Sequence, residues 1–228
     1  MTSPDKIIDA VLAALMTQAG QIGWRHVRLE EVAQEAGITL GDLRAIARDK
    51  TDLLRLFIER TDAEVLREDS GFGPDDSVRD RLFDLLMRRF DALDDHKAGV
   101  ESAFHDVMRD PVGLFTMAPV GMGALRWYLE AAGVATDGPL GLVRVQGLSA
   151  VWLSALRVWF ADDSEDLAPT MKILDRDLGR AEQAAGWLAG RGDAPWRKSP
   201  DEATETPEPE APEPETPEAE APRKSDAG

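Results

Sequence analysis

Cysteine is absent from the 228 residues, so disulfides and thiolate chemistry are excluded and the fold must hold by packing alone. Histidine occurs only three times, scattered at 26, 96 and 105, which offers no ligand set for a structural zinc ion. Positive charge is scarce as well: 26 Lys and Arg stand against 43 Asp and Glu, a formal net charge of −17. No run approaches the roughly 18 uncharged apolar residues of a membrane span, and the N-terminus lacks the basic, apolar and small-residue order of a secretory leader. These absences predict a soluble, cytoplasmic protein with no cofactor, no metal and no stable membrane insertion.

What is present is a chain that is 43% hydrophobic, enough to bury a substantial core. Its acidity is unevenly spread. Residues 198–228 carry −7, residues 1–62 only −2, and the stretch between them −8. A head at −2 is less basic than phosphate-driven DNA binding prefers, but most of the acid does lie away from it.

The most informative stretch is RLEEVAQEAGITLGDLRAIARDK, from Arg28 to Lys50. Leu29, Val32, Ala33 and Ala36 recur at helical spacing, and Gly37 follows where a helix end needs positive φ. Thr39 can cap a second helix, with Asp42 three positions later close to the capping-box arrangement and Leu43, Ile46 and Ala47 facing inward. That is a helix-turn-helix, whose second helix fits the major groove of DNA. Its outward residues are Thr39, Leu40, Asp42, Arg44 and Ala45. Arg44 can reach a guanine edge or a phosphate and Thr39 a phosphate, while Arg28, Arg48 and Lys50 add backbone contacts, with Arg25 and His26 nearby. The alternative is a solvated face with no nucleic-acid role.

The rest of the chain up to residue 189 reads as helix. Ser3-Pro4-Asp5 opens the first helix, to about residue 19, and Asp49 or Thr51 opens a fourth through Leu53, Phe57 and Val65. Stripes at Val78 to Leu93 and Val100 to Met108 follow, the latter ending at Asp110-Pro111. Pro119, Gly121 and Gly123 interrupt the next apolar run, so helical entry is expected near Val120. Two long helices are expected at 139–161 and 164–189, the second striped by Leu167, Met171, Leu174, Leu178, Ala181, Ala185 and Leu188. The domains are then a head at 1–50, a body at 51–197 and, at 198–228, an acidic Pro/Glu tail too poor in apolar residues to order itself.

In the body, Phe104, His105, Met108, Phe115, Met117, Met122, Trp127, Tyr128 and Trp152 are candidates to line a cavity for an apolar small molecule, or else ordinary core. No catalytic constellation is present: Asp162, Asp163, Glu165 and Asp166 lack the spacing of a calcium loop and read as an interhelical turn with a capping serine. The chain is not expected to be an enzyme.

Val32-Ala33, Glu35 to Thr39, Gly41, Leu43 and Lys50 resemble the corresponding run of the TetR family of one-component transcriptional regulators. The family's tyrosine and histidine-phenylalanine fall at Arg44, Ile46 and Ala47; the tyrosine and histidine contact phosphates in that family, and Ile46 has no donor. The resemblance implies an all-α fold of helix-turn-helix head and larger ligand-binding body, operator DNA as a partner and a homodimer. It places the dimer interface on the last two helices, at Val151, Ala155, Trp159, Met171, Leu174 and Leu178. DRLFDLLMRRFDAL and VWFADDSEDLAPTMKILDRDL are also similar to the TetR-like lipid-binding accessory protein of ubiquinone biosynthesis. That likeness implies an alternative: an isoprenoid-binding protein on the same fold that does not bind DNA.

Overall fold

The computed structural model describes residues 4–68, 71–73 and 75–189, with side chains placed as far as 186. The cap expected at Ser3 and the tail at 198–228 lie outside the described residues, and the stripe position Leu188 lies beyond the described side chains. The elements are α1 (Pro4–Ile22), a 3-10 turn (Trp24–His26), α2 (Leu29–Glu35), α3 (Leu40–Ile46), α4 (Lys50–Arg67), α5 (Val78–Asp94), α6 (Lys97–Arg109), α7 (Pro111–Ala131), α8 (Gly138–Phe160) and α9 (Ala168–Ala189). The described residues form an all-α structure with no strand.

Local chemistry sets the head. Gly37 adopts φ +71°, and the amides of Gly37 and Ile38 donate back to the carbonyls of Gln34 and Ala33, closing α2 in a Schellman turn. The Asp42 amide donates to Thr39 Oγ1 at 3.1 Å while the Thr39 amide donates to Asp42 Oδ2 at 3.1 Å, a complete capping box. Of the two residues that could open α4, Asp49 does so, accepting from the Asp52 amide at 2.9 Å. Leu43, Val32 and Ala33 are buried, α2 packing on both α3 and α1, whose Val11, Leu15, Met16 and Ala19 are buried in turn.

α1 packs along α6 through small residues rather than the apolar stripe. Gly99 and Ala103 are buried there, and a Cβ on Gly99 would run into the backbone at Met16, so the two axes come this close only over glycine. Val100, Phe104, Val107 and Met108 consequently face elsewhere on α6.

Two boundaries differ from expectation. α7 begins at Pro111, not near Val120, and carries Pro119 in its interior. Asp110 caps it, accepting from the amides of Val112 and Gly113. Pro119 and Phe115 are both exposed, so the Phe115 carbonyl that loses its helical donor can be solvated, and an exposed proline costs the helix less than a buried one. α9 begins at Ala168 rather than 164. No serine accepts from its first turn; Asp166 accepts from the Ala168 amide, and the Asp162 carboxylate accepts from Ser164 on one oxygen and from the amide and hydroxyl of Thr170 on the other. Burial works to raise this carboxyl, but those hydrogen bonds hold it at about 2. Leu167 reverses the chain at φ +49° to allow it.

α8, in which only Arg144 and Arg157 are charged, has the length and apolarity to cross a membrane, counter to the expectation that no run approaches a span. Its inner residues Val145, Leu148, Val151, Trp152, Ala155, Leu156 and Trp159 are buried within the chain, as a core helix requires.

Candidate functional site

Two features are the candidates for function: the outer face of α3 and a cavity in the body. On the head, Leu40, Asp42, Arg44 and Ala45 point to solvent as expected. The cations around them are mostly committed within the chain. Arg28 meets Glu30 and Glu31, and Arg25 pairs with Asp106 at 3.1 Å. Arg48 grips Asp52 with Nε at 2.6 Å and Nη2 at 2.8 Å, and this hydrogen bonding holds the Asp52 carboxyl at about 2. Lys50 turns inward: Nζ donates to the Trp24 carbonyl at 2.6 Å and lies 5.0 Å from the Trp24 ring centroid, and burial lowers its pKa. Thr39 and Asp42 spend their polar atoms on each other. Arg44 makes no ion pair among the described residues, so it is the free cation of the α3 face.

The cavity, about 340 Å³, lies among α4, α5, α6, α7 and α8, at the small end of the range for ligand pockets. α4 supplies Leu54, Phe57, Ile58 and Thr61; α6 the displaced stripe of Val100, Phe104, Val107 and Met108; α7 Leu114, Met117, Met122 and Leu125; α8 Ser149, Trp152 and Leu156; and α5 Leu93 and Arg89. Five residues singled out from sequence therefore meet here: Phe104, Met108, Met117, Met122 and Trp152. Four do not. Phe115 and Trp127 are 83% and 66% exposed on the outer side of α7, and His105 is exposed on α6 beside Glu101. Tyr128 is fully buried behind the wall, where its hydroxyl donates to Asp62 Oδ1 at 3.0 Å.

Sequence reasoning missed Arg89 and Asp62. The guanidinium pairs through Nη2 with Asp62 Oδ1 at 2.9 Å, both side chains being more than 90% buried, and its Cζ lies 4.5 Å from the Trp152 ring centroid and 5.3 Å from that of Tyr128. Burial pushes the Asp62 carboxyl above its ordinary value, against the pull of Arg89 and the Tyr128 hydroxyl. Burial likewise raises the Tyr128 phenol. The signal was available: Arg89 sits four residues after Leu85 and four before Leu93, a charge inside an apolar stripe, and Asp62 interrupts the α4 stripe between Ile58 and Val65.

The dimer residues named from sequence need correction. Val151, Ala155, Trp159, Leu174 and Leu178 are buried inside one chain, holding α8, α9 and α5 together, and Met171 is half-buried; α8 turns other residues away from that core. Leu140 and Val143 are 62% and 48% exposed on that outer side, with Gly147 and Ala150 following at helical spacing.

Among solved structures, the chain is similar to the TetR transcriptional regulator from Nitrosomonas europaea ATCC 19718, with a TM-score of 0.65 and 22% identity, covering 79% of this chain and 99% of that one. It is also similar to a TetR transcriptional regulator from Rhodococcus sp. RHA1, with a TM-score of 0.59 and 19% identity over 78% and 96% of the two chains. A TetR-family regulator from Streptomyces coelicolor gives 0.56 and 14% over 83% and 85%. No family model matches the sequence, and no curated protein matches it. The chain thus has the fold of TetR-family transcriptional regulators, as the head motif implied.

Proposed function

We propose that the protein is a cytoplasmic, ligand-responsive regulator of transcription, in which α3 reads operator DNA, the cavity takes an apolar small molecule and two copies act together. The observation that carries this reading is the course of α4. Its first turn holds Asp52, which grips Arg48 just after α3, and Lys50, which ties to the Trp24 turn just before α2, and its later turns supply Leu54, Phe57, Ile58 and Thr61 to the cavity wall. A ligand that favours one setting of α4 thereby favours one setting of α3, shifting an equilibrium between them.

Binding of the purified protein to the DNA upstream of its own gene, measured across a salt series, tests this directly. A specific complex is expected, with a shallow salt slope because few cations on the face are free. Arg44→Ala is expected to weaken it about tenfold, the order of one base or phosphate contact. Lys50→Ala is expected to lower the melting temperature more than the affinity, since Lys50 serves the Trp24 turn. If no duplex binds above the nonspecific level, the reading fails and the lipid-binding accessory role takes its place; similarity to solved regulators does not favour that role.

The second copy is assigned to the outer side of α8. Val143→Arg is expected to convert a dimer to a folded monomer in sedimentation, and an unchanged mass would move the interface elsewhere.

A further inference from the structure

A molecule that occupies the cavity needs a way in, and the wall comes to the surface at one corner. Of the described residues that line it, Met108, Leu114 and Ala118 are exposed and the others are buried or half-buried. All three belong to the end of α6 and the first half of α7. That half of α7 is weakly held. Across residues 111–118 only Met117 is buried, while Val112 and Phe115 are turned to solvent. The second half is anchored along its length: Ala124, Leu125, Tyr128 and Leu129 are buried, and the Tyr128 hydroxyl is tied to Asp62. A segment with few buried apolar side chains is the kind that opens locally while the rest of a domain stays folded.

The junction between the two halves is weak by composition. Pro119 has no amide to donate to the Phe115 carbonyl, so one rung of the helix is missing there. Gly121 and Gly123 follow inside the same helix, where glycine holds the backbone less well than alanine does. Elsewhere glycine meets a need: Gly37 takes positive φ, and Gly99 lets α6 approach Met16. Gly121 and Gly123 meet neither need. Neither takes positive φ, and a Cβ on either would find no atom within 4 Å among the described residues. Packing does not ask for glycine at these positions, whereas bending does. At its other end the first half joins α6 through Asp110, an extended residue whose carboxylate caps α7. We infer that residues 111–118 are a flap, hinged at 119–123 and at Asp110, which swings off the cavity to admit and release its ligand. The flap takes its purpose from the ligand-responsive reading proposed above and rests on it to that extent; its motion does not.

The test compares the full-length protein with its double variant Pro119→Ala, Gly123→Ala. Both positions are exposed and neither lines the cavity, so the variant stiffens the hinge without altering the wall. Both changes favour helix, and the variant is expected to melt no lower than the unaltered protein. Hydrogen exchange read by mass spectrometry follows the flap itself. In the unaltered protein the amides of residues 115–118 are expected to exchange about tenfold faster, or more, than those of 125–129. In the variant they are expected to slow by about tenfold or more, the scale of removing a proline and a glycine from a helix interior. Equal protection of the two halves overturns the inference. So does fast exchange at 115–118 that the variant leaves unchanged, which is what fraying of the helix start would give. Stopped-flow binding of the fluorescent dye N-phenyl-1-naphthylamine then follows passage. Association and dissociation are expected to slow together by about tenfold, with the equilibrium affinity moving less than about twofold, because a flap sets the rate of entry and exit alike. Unchanged rates would mean that the dye enters elsewhere and would overturn the inference, as would an affinity change carried by dissociation alone. A dye that never binds removes the ligand-binding reading, and the flap is then decided by the exchange rates.

Discussion

Trp159→Glu is expected to leave a chain with no cooperative thermal transition, rather than a folded monomer. Trp159 is fully buried, with Phe90 and Phe160 rings at 5.4 and 5.5 Å between centroids. Truncating a tryptophan in such a position costs about 3–5 kcal/mol on its own. The substitution also places a carboxylate among those rings, which adds several kcal/mol more. The nearest cation, Lys97, is already committed, donating to the Asp162 carbonyl while its ammonium lies 5.5 Å from the Trp159 ring centroid. Domains of this kind are stable by about 5–15 kcal/mol, so the sum consumes most or all of what there is. Circular dichroism melts of Trp159→Glu and Val143→Arg side by side check the point. The first is expected to lose its transition and the second to keep it. A Trp159→Glu protein that melts cooperatively and sediments as a monomer would return Trp159 to the interface and contradict its burial within one chain.

That contrast shows which parts of the molecule a sequence can specify. The helix-turn-helix was legible because its determinants are local: Gly37 for the positive φ, Thr39 and Asp42 for the box, all within six residues. Helical periodicity at α8 and α9 was equally plain, but periodicity reports that a face is apolar and not what covers it. Val151, Trp159 and Leu178 have the same pattern whether they meet a neighbouring helix or a second molecule. The stripe on α6 carries a similar ambiguity. Val100, Phe104 and Met108 line an open cavity because the tight contact with α1 is made by Gly99 and Ala103, two residues with little hydrophobic signal. The early start of α7 was hidden because the cost of Pro119 depends on whether the Phe115 carbonyl reaches water, which only the tertiary structure decides. Five of the nine cavity candidates met in space, and the unmet ones were aromatic or histidine residues chosen for chemistry rather than phase on the helix. Arg89 and Asp62 escape notice for the opposite reason: a charge within an apolar stripe carries no hydrophobic signal, although the phase of each puts it on a buried face.

Removing that pair's cation provides the second large effect, and it carries a sign that burial alone would not produce. Asp62 is a carboxyl whose burial raises its pKa in the folded chain, with Arg89 pulling the other way. A group with a raised folded pKa binds more protons folded than unfolded between its ordinary value of 3.8 and the raised one, so stability falls as pH climbs through that window and stays lower above it. Arg89→Met removes the pull, moves the folded pKa higher and widens the window upward. At pH 7 the variant holds an unpaired buried carboxylate, and the expected loss is about 3–5 kcal/mol. At pH 4.5, nearer the range in which the folded chain holds Asp62 protonated, the loss is expected to shrink toward the packing cost of the missing guanidinium beside Trp152 and Tyr128. Urea unfolding at the two pH values measures the difference. An equal loss at both would mean that Arg89 stabilises through its ring contacts alone, with no part played by the charge of Asp62. The double variant Asp62→Leu with Arg89→Met separates these further: with neither charge left in the interior, most of the loss at pH 7 is expected to return, and the dependence on pH to disappear.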